Sequence, residues 1–456
     1  MTYSQAISYL YALEHGSVKL GLERIQAAVE ARGHPERRYA CVHVAGTNGK
    51  GSTCALIASI LAASGYRTGL FTSPHLLDFR ERLRVDGAMT AREEIVSWTV
   101  RLRPLIERLK LSFFEATTLL AFEIFAAHRV DLAVIEVGMG GRLDSTNVVR
   151  PALAVITGID LDHTQSLGAT RVRIAGEKAG IIKRNTPVLL GPCTPAVRRV
   201  FRDRAEVLGA PLILRERRAR AREISSDPRG VRYVRDAQDG AVGGERRLLI
   251  RGVYQVDNAL LAEEAAVLLA GQGWQIPLAA RRRGLASGRW PGRFHPVVRR
   301  GRPPVVFDVA HNPQGSASLA DAWQRWMPRR EPRLILGMLG DKDQVSFLRN
   351  LRVLTGEVRL VALDSPRAGS VEALARAARR AGMRPAVARS MREAIEEASR
   401  EGGPLLVTGS FLTVEAGMRA LGMRSAARLF PPARPRGRGE ARTPAPAPAR
   451  MGKARA

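Results

Sequence analysis

The stretch Val42–Leu61, VHVAGTNGKGSTCALIASIL, decides the fold. Its opening continues the apolar run YACVHVAG, the composition of a buried strand, and its close, STCALIASIL, reads as a helix. Between them lies GTNGKGS. Strand, glycine-rich turn and helix together make the setting in which backbone N–H groups and a helix N-terminus cradle phosphate. The spacing is compressed against the common G-x-x-x-x-G-K-[ST] loop: two residues separate Gly46 from Gly49, and Gly51 intervenes between Lys50 and Ser52. Thr47, Asn48, Gly49, Lys50, Gly51 and Ser52 are the expected cradle, with Lys50 as its point charge and the helix starting near Ser52.

Outward from this loop, apolar runs and helical segments alternate from Tyr39 to Gly191, among them VDLAVIEVG, ALAVITGID and TPVLLG. Continuous apolar strands between helices predict a mostly parallel sheet covered on both faces. The fold class is therefore α/β: an N-terminal P-loop-like domain followed by a smaller Rossmann-like α/β domain. Between about Leu212 and Gly252, short charged pieces such as GVRYVRDA predict antiparallel strands added to the first domain's edge. The helix NALLAEEAAVLLAGQG follows. ASGRWPGRFHPVVRRGRPP concentrates Gly, Pro and Arg as a linker does. The expected boundaries are residues 1–291, a linker at 292–298, a second domain at 299–424, and a basic Pro/Ala-rich tail at 425–456 with too little apolar surface to order itself.

Composition narrows the class. Cys41, Cys54 and Cys193 have neither zinc-site spacing nor the even count of a disulfide framework, so they read as reduced thiols. The start, MTYSQAISYLYALEHG, lacks a basic region and a long apolar core, and later apolar stretches are strand-sized rather than the roughly 20 residues of a membrane helix. A cytoplasmic protein without membrane partners is expected. The formal charge is +29, but aromatics are 5% and the arginines are scattered through alanine-rich helices rather than grouped around stacking positions. The charge reads as solvated helix faces and attraction for anionic ligands, with no nucleic-acid partner.

The loop GTNGKGS resembles that of the Mur ligase superfamily, amide-forming ligases driven by ATP. Within it the chain resembles the dihydrofolate synthase/folylpolyglutamate synthases, from SVKLGLERIQAAVEARGHPE to about Gly422. The motifs are HVAGTNGKGST, TSPHLLDFRERLRV, SFFEATTLLAFEIF, VIEVGMGGRLDSTNVV, GIDLDHTQSLGATRVRIAGEKAGIIK, RWPGRF, DVAHNP, GMLGDKD and VTGSFLTVEAG, in the family's order. Val309 stands where a glycine is more usual before AHNP.

The resemblance implies ATP-dependent addition of L-glutamate to dihydropteroate and to reduced folates through an acyl phosphate, with Mg2+ as cofactor, in a monomer. It implies Ser73, Glu136 and His163 as metal ligands, although a turn-initiating Ser before proline, a Glu capping a turn and a structural His are also consistent with the residues alone. Lys178, read cold, is a solvated helix lysine; the resemblance implies a carbamylated one, whose formation needs a neutral amine. Lys50, Lys178, His163 and His311 are the expected catalytic groups. Asn258, an N-cap candidate, joins Arg293 and Asp308 at ATP. Ser112, Phe113, Phe114 and Glu115, with Arg142, Leu143, Asp144 and Ser145, are implied at the pterin, the two phenylalanines being equally suited to a core. A polyglutamate-only enzyme shares every motif; a peptidoglycan-type ligase lacks the SFFEATT and GEKAGIIK pair, and a nucleotide switch leaves DVAHNP without a role.

Overall fold

Apolar residues on both faces make the central strands, because parallel strands are covered by helices above and below. In the computed structural model, which describes residues 1–13, 21–227, 229–236, 243–423, 425–426 and 429–430, the first sheet contains eight strands. They are β1 (Ala40–Ala45), β2 (Thr68–Phe71), β3 (Leu83–Val85), β4 (Ala88–Met89), β5 (Leu132–Glu136), β6 (Leu153–Ile156), β7 (Val188–Leu190) and β8 (Leu212–Leu214). Their spatial order is β4-β3-β2-β5-β1-β6-β7-β8. The run from β2 to β8 is parallel, and β3 and β4 extend it as an antiparallel hairpin. β1 lies centrally, with β5 and β6 on either side, so the loop after it opens where ligands collect in such sheets.

The helix Lys50–Ala63 starts at Lys50, two residues before the expected Ser52, because Gly49 takes the left-handed conformation (φ 85°) and turns the chain directly into it. Leu56, Ile57, Ile60 and Leu61 have no exposed surface. Each contributes roughly 1.5–3 kcal/mol by burial. The sheet covers one side of this helix, and the helices Gln255–Gly271 and Leu278–Ser287 cover the other. The last approaches so closely that a Cβ at Gly284 would lie 2.4 Å from the Ile60 Cα. Any side chain there would push the two helices apart.

The segment after residue 212 departs from expectation. β8 completes the parallel sheet, while β9 (Ala221–Asp227), β10 (Gly230–Arg235) and β11 (Gly244–Leu248) form a separate antiparallel sheet instead of extending the edge. Its fully buried Arg235 and Arg246 pair with Glu263 and Glu264 of the helix Gln255–Gly271 at 2.7–3.0 Å. Charge pairing to a helix, rather than strand pairing, fixes its position.

The second domain has the order β12-β13-β17-β14-β15-β16, with β12 (His295–Arg299) antiparallel to β13 (Arg302–Phe307), and β17 (Leu405–Thr408), β14 (Arg333–Leu336), β15 (Glu357–Leu360) and β16 (Arg384–Val387) parallel to it. Most of the stretch expected as a linker, 292–298, is thus this sheet's edge strand: the run His295-Pro296-Val297-Val298-Arg299 pairs with β13 although it includes Pro and Arg. The expected tail begins too early. Ala426, Leu429 and Phe430 are buried against the second domain and the first-domain residues Leu76 and Leu77, since three apolar side chains precede the Pro/Arg-rich part. The remainder of that tail, like residues 17–20 of the first motif, lies outside the described residues. Cys41 and Cys54 are buried, Cys193 partly so, and all three are free thiols. Among the described residues no helix is long and apolar enough to cross a membrane.

Candidate active site

The loop between β1 and its helix is held from below by the neighbouring strand's exit. Thr47 N–H donates to the Gly158 carbonyl at 2.8 Å, the Thr47 hydroxyl to the Asp160 carbonyl at 3.0 Å, and the Thr157 hydroxyl to the Asn48 carbonyl at 2.6 Å. Two glycines are required by proximity. A Cβ on Gly49 would meet the Asn258 Oδ1 at 2.3 Å, and one on Gly51 would meet the Trp290 ring at 2.6 Å. Lys50 Nζ donates to the Gly46 and Thr47 carbonyls at 3.1 and 3.2 Å, curled over its own loop, and Ser52 is buried in the first turn. The first-turn N–H groups at 50–52 have no partner within the helix, leaving donors for an anion. Asn258 lies in the first turn of Gln255–Gly271, where it donates to the Gln255 Oε1 at 2.9 Å; the cap position itself belongs to Tyr254, so Asn258 is not an N-cap.

Glu136 ends β5 as its apolar run predicts, and accepts from the Ser73 N–H at 3.0 Å. Burial raises its carboxyl above the usual range, with Lys50, the Ser73 N–H, Arg293 and Arg82 opposing. His163 does not end a strand. It follows β6 by seven residues, in a left-handed conformation (φ 49°) ahead of the single turn Thr164–Leu167, and burial pushes its imidazole down to about 4. A neutral imidazole is the form that binds a metal. Among the described residues no three His, Cys, Asp or Glu side chains converge. Ser73 and Glu136 meet through the Ser73 N–H, and their oxygens, like the His163 ring nitrogen, are of the types that bind a hard cation such as magnesium.

Lys178 is not a solvated lysine. It is 4% exposed, on the helix Arg171–Ala179, and burial with the nearby charge of Lys50 pushes its amine down to about 7, Asp162 and Asp144 opposing. The helix sits close because a glycine stands on each side of the contact: a Cβ on Gly141 of the facing segment would lie 3.1 Å from the Lys178 Cα, and one on Gly180 at the helix end would lie 2.4 Å from the Arg142 Cα.

From the second domain, Asp308 follows β13 and accepts from Tyr254 Oη at 2.6 Å, Phe294 N–H at 2.8 Å and Ala310 N–H at 2.8 Å. Arg293 stacks over Phe411 at 5.1 Å. His311 Nδ1 lies 2.9 Å from the Val309 carbonyl and Nε2 3.3 Å from Asp162 Oδ2. Asp162 was not singled out by sequence, yet it joins the domains: Lys342 Nζ donates to it at 2.6 Å and Asn312 Nδ2 at 3.4 Å. Burial opposes its ionisation, but the hydrogen bond from His311 and the charges of His311, His163 and Lys342 hold its carboxyl well below the usual range. Beside it Asn48 Nδ2 donates to Gln314 Oε1 at 2.6 Å and Asn312 Oδ1 at 3.2 Å, and Asn312 Nδ2 returns a bond to Asn48 Oδ1 at 3.0 Å. Asp162 adjoins the named His163 in GIDLDHTQ, and Lys342 lies in GMLGDKD; membership of a motif was the available signal for both.

The residues expected at the pterin divide. Ser112 and Glu115 form the capping box of the helix Phe113–Ala127, and Glu115 also pairs with Arg24 at 3.1 Å. Phe113 is buried, stacked on Tyr11 with centroids 5.3 Å apart and covered by Arg82 at 5.1 Å. Phe114 is partly exposed and packs where Gly138 leaves no room for a Cβ. Arg142 is exposed and pairs with Glu177 at 3.0 Å. Leu143 is partly exposed, and Asp144 is buried, accepting from the Met139 N–H at 2.9 Å and the Thr146 N–H at 3.0 Å. Ser145 Oγ meets Thr118 Oγ1 at 2.9 Å. Phe114 and Leu143 are the ones left with open surface and no polar duty.

Comparison with known proteins agrees with this architecture. The profile of the Mur ligase middle domain matches residues 44–266, and that of the Mur ligase glutamate ligase domain matches 292–411. A Bacillus subtilis dihydrofolate synthase/folylpolyglutamate synthase is 36% identical over 380 residues, covering 82% of this chain and 88% of the relative. The crystal structure of Mycobacterium tuberculosis folylpolyglutamate synthase complexed with ADP superposes with a TM-score of 0.85 at 33% identity, covering 92% of this chain and 99% of that one. An FPGS–AMPPCP–folate complex superposes at 0.82 with 31% identity, covering 92% and 100%.

Proposed function

The chain belongs to the dihydrofolate synthase/folylpolyglutamate synthase family of the Mur ligases, ATP-dependent acid–amino-acid ligases, and from that premise we propose that it makes dihydrofolate from dihydropteroate and lengthens reduced folates with L-glutamate. The observation that carries this reading is the set of hydrogen bonds joining Asn48 of the loop to Asn312 and Gln314 of the second domain. They bring the loop, Lys50 and the β13 exit into one cleft.

An amide forms in water only from an activated carboxyl. The substrate carboxylate oxygen attacks the γ-phosphorus, ADP leaves, and the glutamate amine, having lost a proton, attacks the acyl carbon and expels phosphate. Catalysis here is charge neutralisation and alignment. Lys50 leaves its loop carbonyls for the β/γ-phosphates, and the N–H groups at 49–52 cradle them. Arg293 and Asp308 hold the nucleotide from the second domain, with Asn258 beside the loop. His311, with Nδ1 2.9 Å from the Val309 carbonyl and Nε2 3.3 Å from Asp162 Oδ2, ties the exit of β13 to the segment that carries His163 and so borders the cleft. Glu136, Ser73 and His163 would hold Mg2+, which neutralises charge on the phosphates when bound. Lys178, as a carbamate, would turn a cationic neighbour of Lys50 into an anion that steadies the metal site. Phe114 and Leu143 offer apolar surface to the pterin. Function as a monomer in the cytoplasm is part of the same reading.

The experiment is product analysis with purified protein, ATP and glutamate. Dihydropteroate should yield dihydrofolate, and tetrahydrofolate its glutamylated forms. Extension of tetrahydrofolate without dihydrofolate formation would leave a polyglutamate-only enzyme.

A further inference from the structure

The tail's return to the first domain places an aromatic ring on a buried cation beside the loop. After the helix Phe411–Ala420 the chain turns back: Arg419 Nη2 donates to the Leu77 carbonyl at 3.1 Å, and the N–H groups of Leu429 and Phe430 both bond the Ala426 carbonyl at 2.9 Å. Phe430, 5% exposed, covers the Arg84 guanidinium at 4.4 Å, and Trp290 lies 5.0 Å from the same guanidinium. The two rings meet edge to face with centroids 6.4 Å apart. Arg84 is 3% exposed, and its Nε and Nη2 have no hydrogen-bond partner among the described residues. Burial pushes its guanidinium down to about 10, Glu81 and Cys54 opposing. With so few acceptors, the ring faces are a main compensation for burying this charge. Trp290 continues the chain of contact, because its six-membered ring occupies the space that a Cβ on Gly51 would need.

We propose that Phe430 is a positioning residue: covering Arg84 and set edge to face against Trp290, it pins the Trp290 ring against Gly51 and so fixes the nucleotide loop from the far end of the chain. The elements joined are the tail, the hairpin strand β3 that carries Arg84, the junction residue Trp290 and the first turn of the loop helix. The structure thereby assigns the last described residues a part in nucleotide affinity, whereas composition alone reads the region from 425 as too poor in apolar surface to order itself. Phe430 touches no substrate; its effect passes through Trp290. The proposal rests on the loop being the nucleotide site, as argued above.

The test is calorimetric binding of ADP to the full-length protein, paired with steady-state kinetics, for Phe430→Ala, Phe430→Leu and Phe430→Trp, with Lys50→Ala alongside. Leucine retains apolar volume and fold but removes the ring face. Both the alanine and the leucine variants should weaken ADP binding by about threefold or more, in the range reported for coupling through packed residues. KM for ATP should rise with it, kcat at saturating ATP and KM for the folate substrate should hold, and Phe430→Trp should restore affinity. Wild-type ADP affinity in Phe430→Leu, or an equal rise in KM for ATP and folate, would overturn the proposal and leave the contact as ordinary packing. If Lys50→Ala binds ADP normally, the loop assignment fails instead, a result distinguishable from failure of the strap.

Discussion

Burying Lys178 beside Lys50 makes its amine half neutral near pH 7, which is the condition for reaction with carbon dioxide. Because the folded-state value lies below the ordinary 10.5, the folded protein binds fewer protons than the unfolded chain between about pH 7 and 10.5. Stability should therefore rise with pH across that window, and the burial penalty is fully felt below it. In bicarbonate-free buffer the melting temperature of the wild type should gain more between pH 7 and 9 than that of Lys178→Met; parallel curves would contradict the burial argument. For Lys50→Ala the expectation is different: a fall of roughly 10² to 10³ in kcat, of the size seen when one transition-state charge partner is lost, with melting temperature little changed because, among the described residues, the hydrogen bonds of Lys50 Nζ go to its own loop. Near-normal turnover would remove Lys50 from the chemistry. At this scale the glycine-rich turn between strand and helix was legible because local spacing carries it. The burial of Lys178 was not, since it depends on Gly141 and Gly180 letting a distant segment approach.

Strands β1, β5 and β6 were readable from their runs because a fully buried parallel strand needs apolar residues on both faces. The three-stranded sheet misled for the opposite reason. Its charged residues look solvated in sequence, yet Arg235 and Arg246 are fully buried and face Glu263 and Glu264, 17 to 29 residues further along the chain. The same pairing fixes the helix whose first turn presents Asn258 to the loop. Removing Glu263 would leave two guanidinium groups buried with one acidic partner fewer. Glu263→Ala should therefore lower stability by about 3–5 kcal/mol, measured by urea denaturation. A loss below about 1 kcal/mol, the level of an exposed pair, would show that the cluster is hydrated in solution. The linker expectation erred on similar ground: Pro and Arg are tolerated in β12 because it is an edge strand, paired on one side only.

Across the whole molecule, the alternation of strands and helices announced two α/β units, but not how they are joined. Asp162 meets His311, Asn312 and Lys342 across sequence separations of 149 to 180 residues, beyond the reach of any local pattern. Asp162 and Lys342 are each under a tenth exposed, so their pairing is little screened. Asp162→Asn should weaken the closed arrangement by about 2–5 kcal/mol, as loss of a buried charge partner does. Small-angle scattering should then report a larger radius of gyration for the free variant than for the wild type; identical curves would assign closure to the apolar cluster that holds Leu76 and Val309 together. The claim that draws these scales together is that the cleft transfers phosphate to a pteroate carboxylate before glutamate attacks. Synthesis with dihydropteroate labelled with 18O in its carboxylate, ATP and L-glutamate tests it most directly: the account predicts dihydrofolate together with inorganic phosphate carrying one 18O, and dihydrofolate formed with unlabelled phosphate would contradict it.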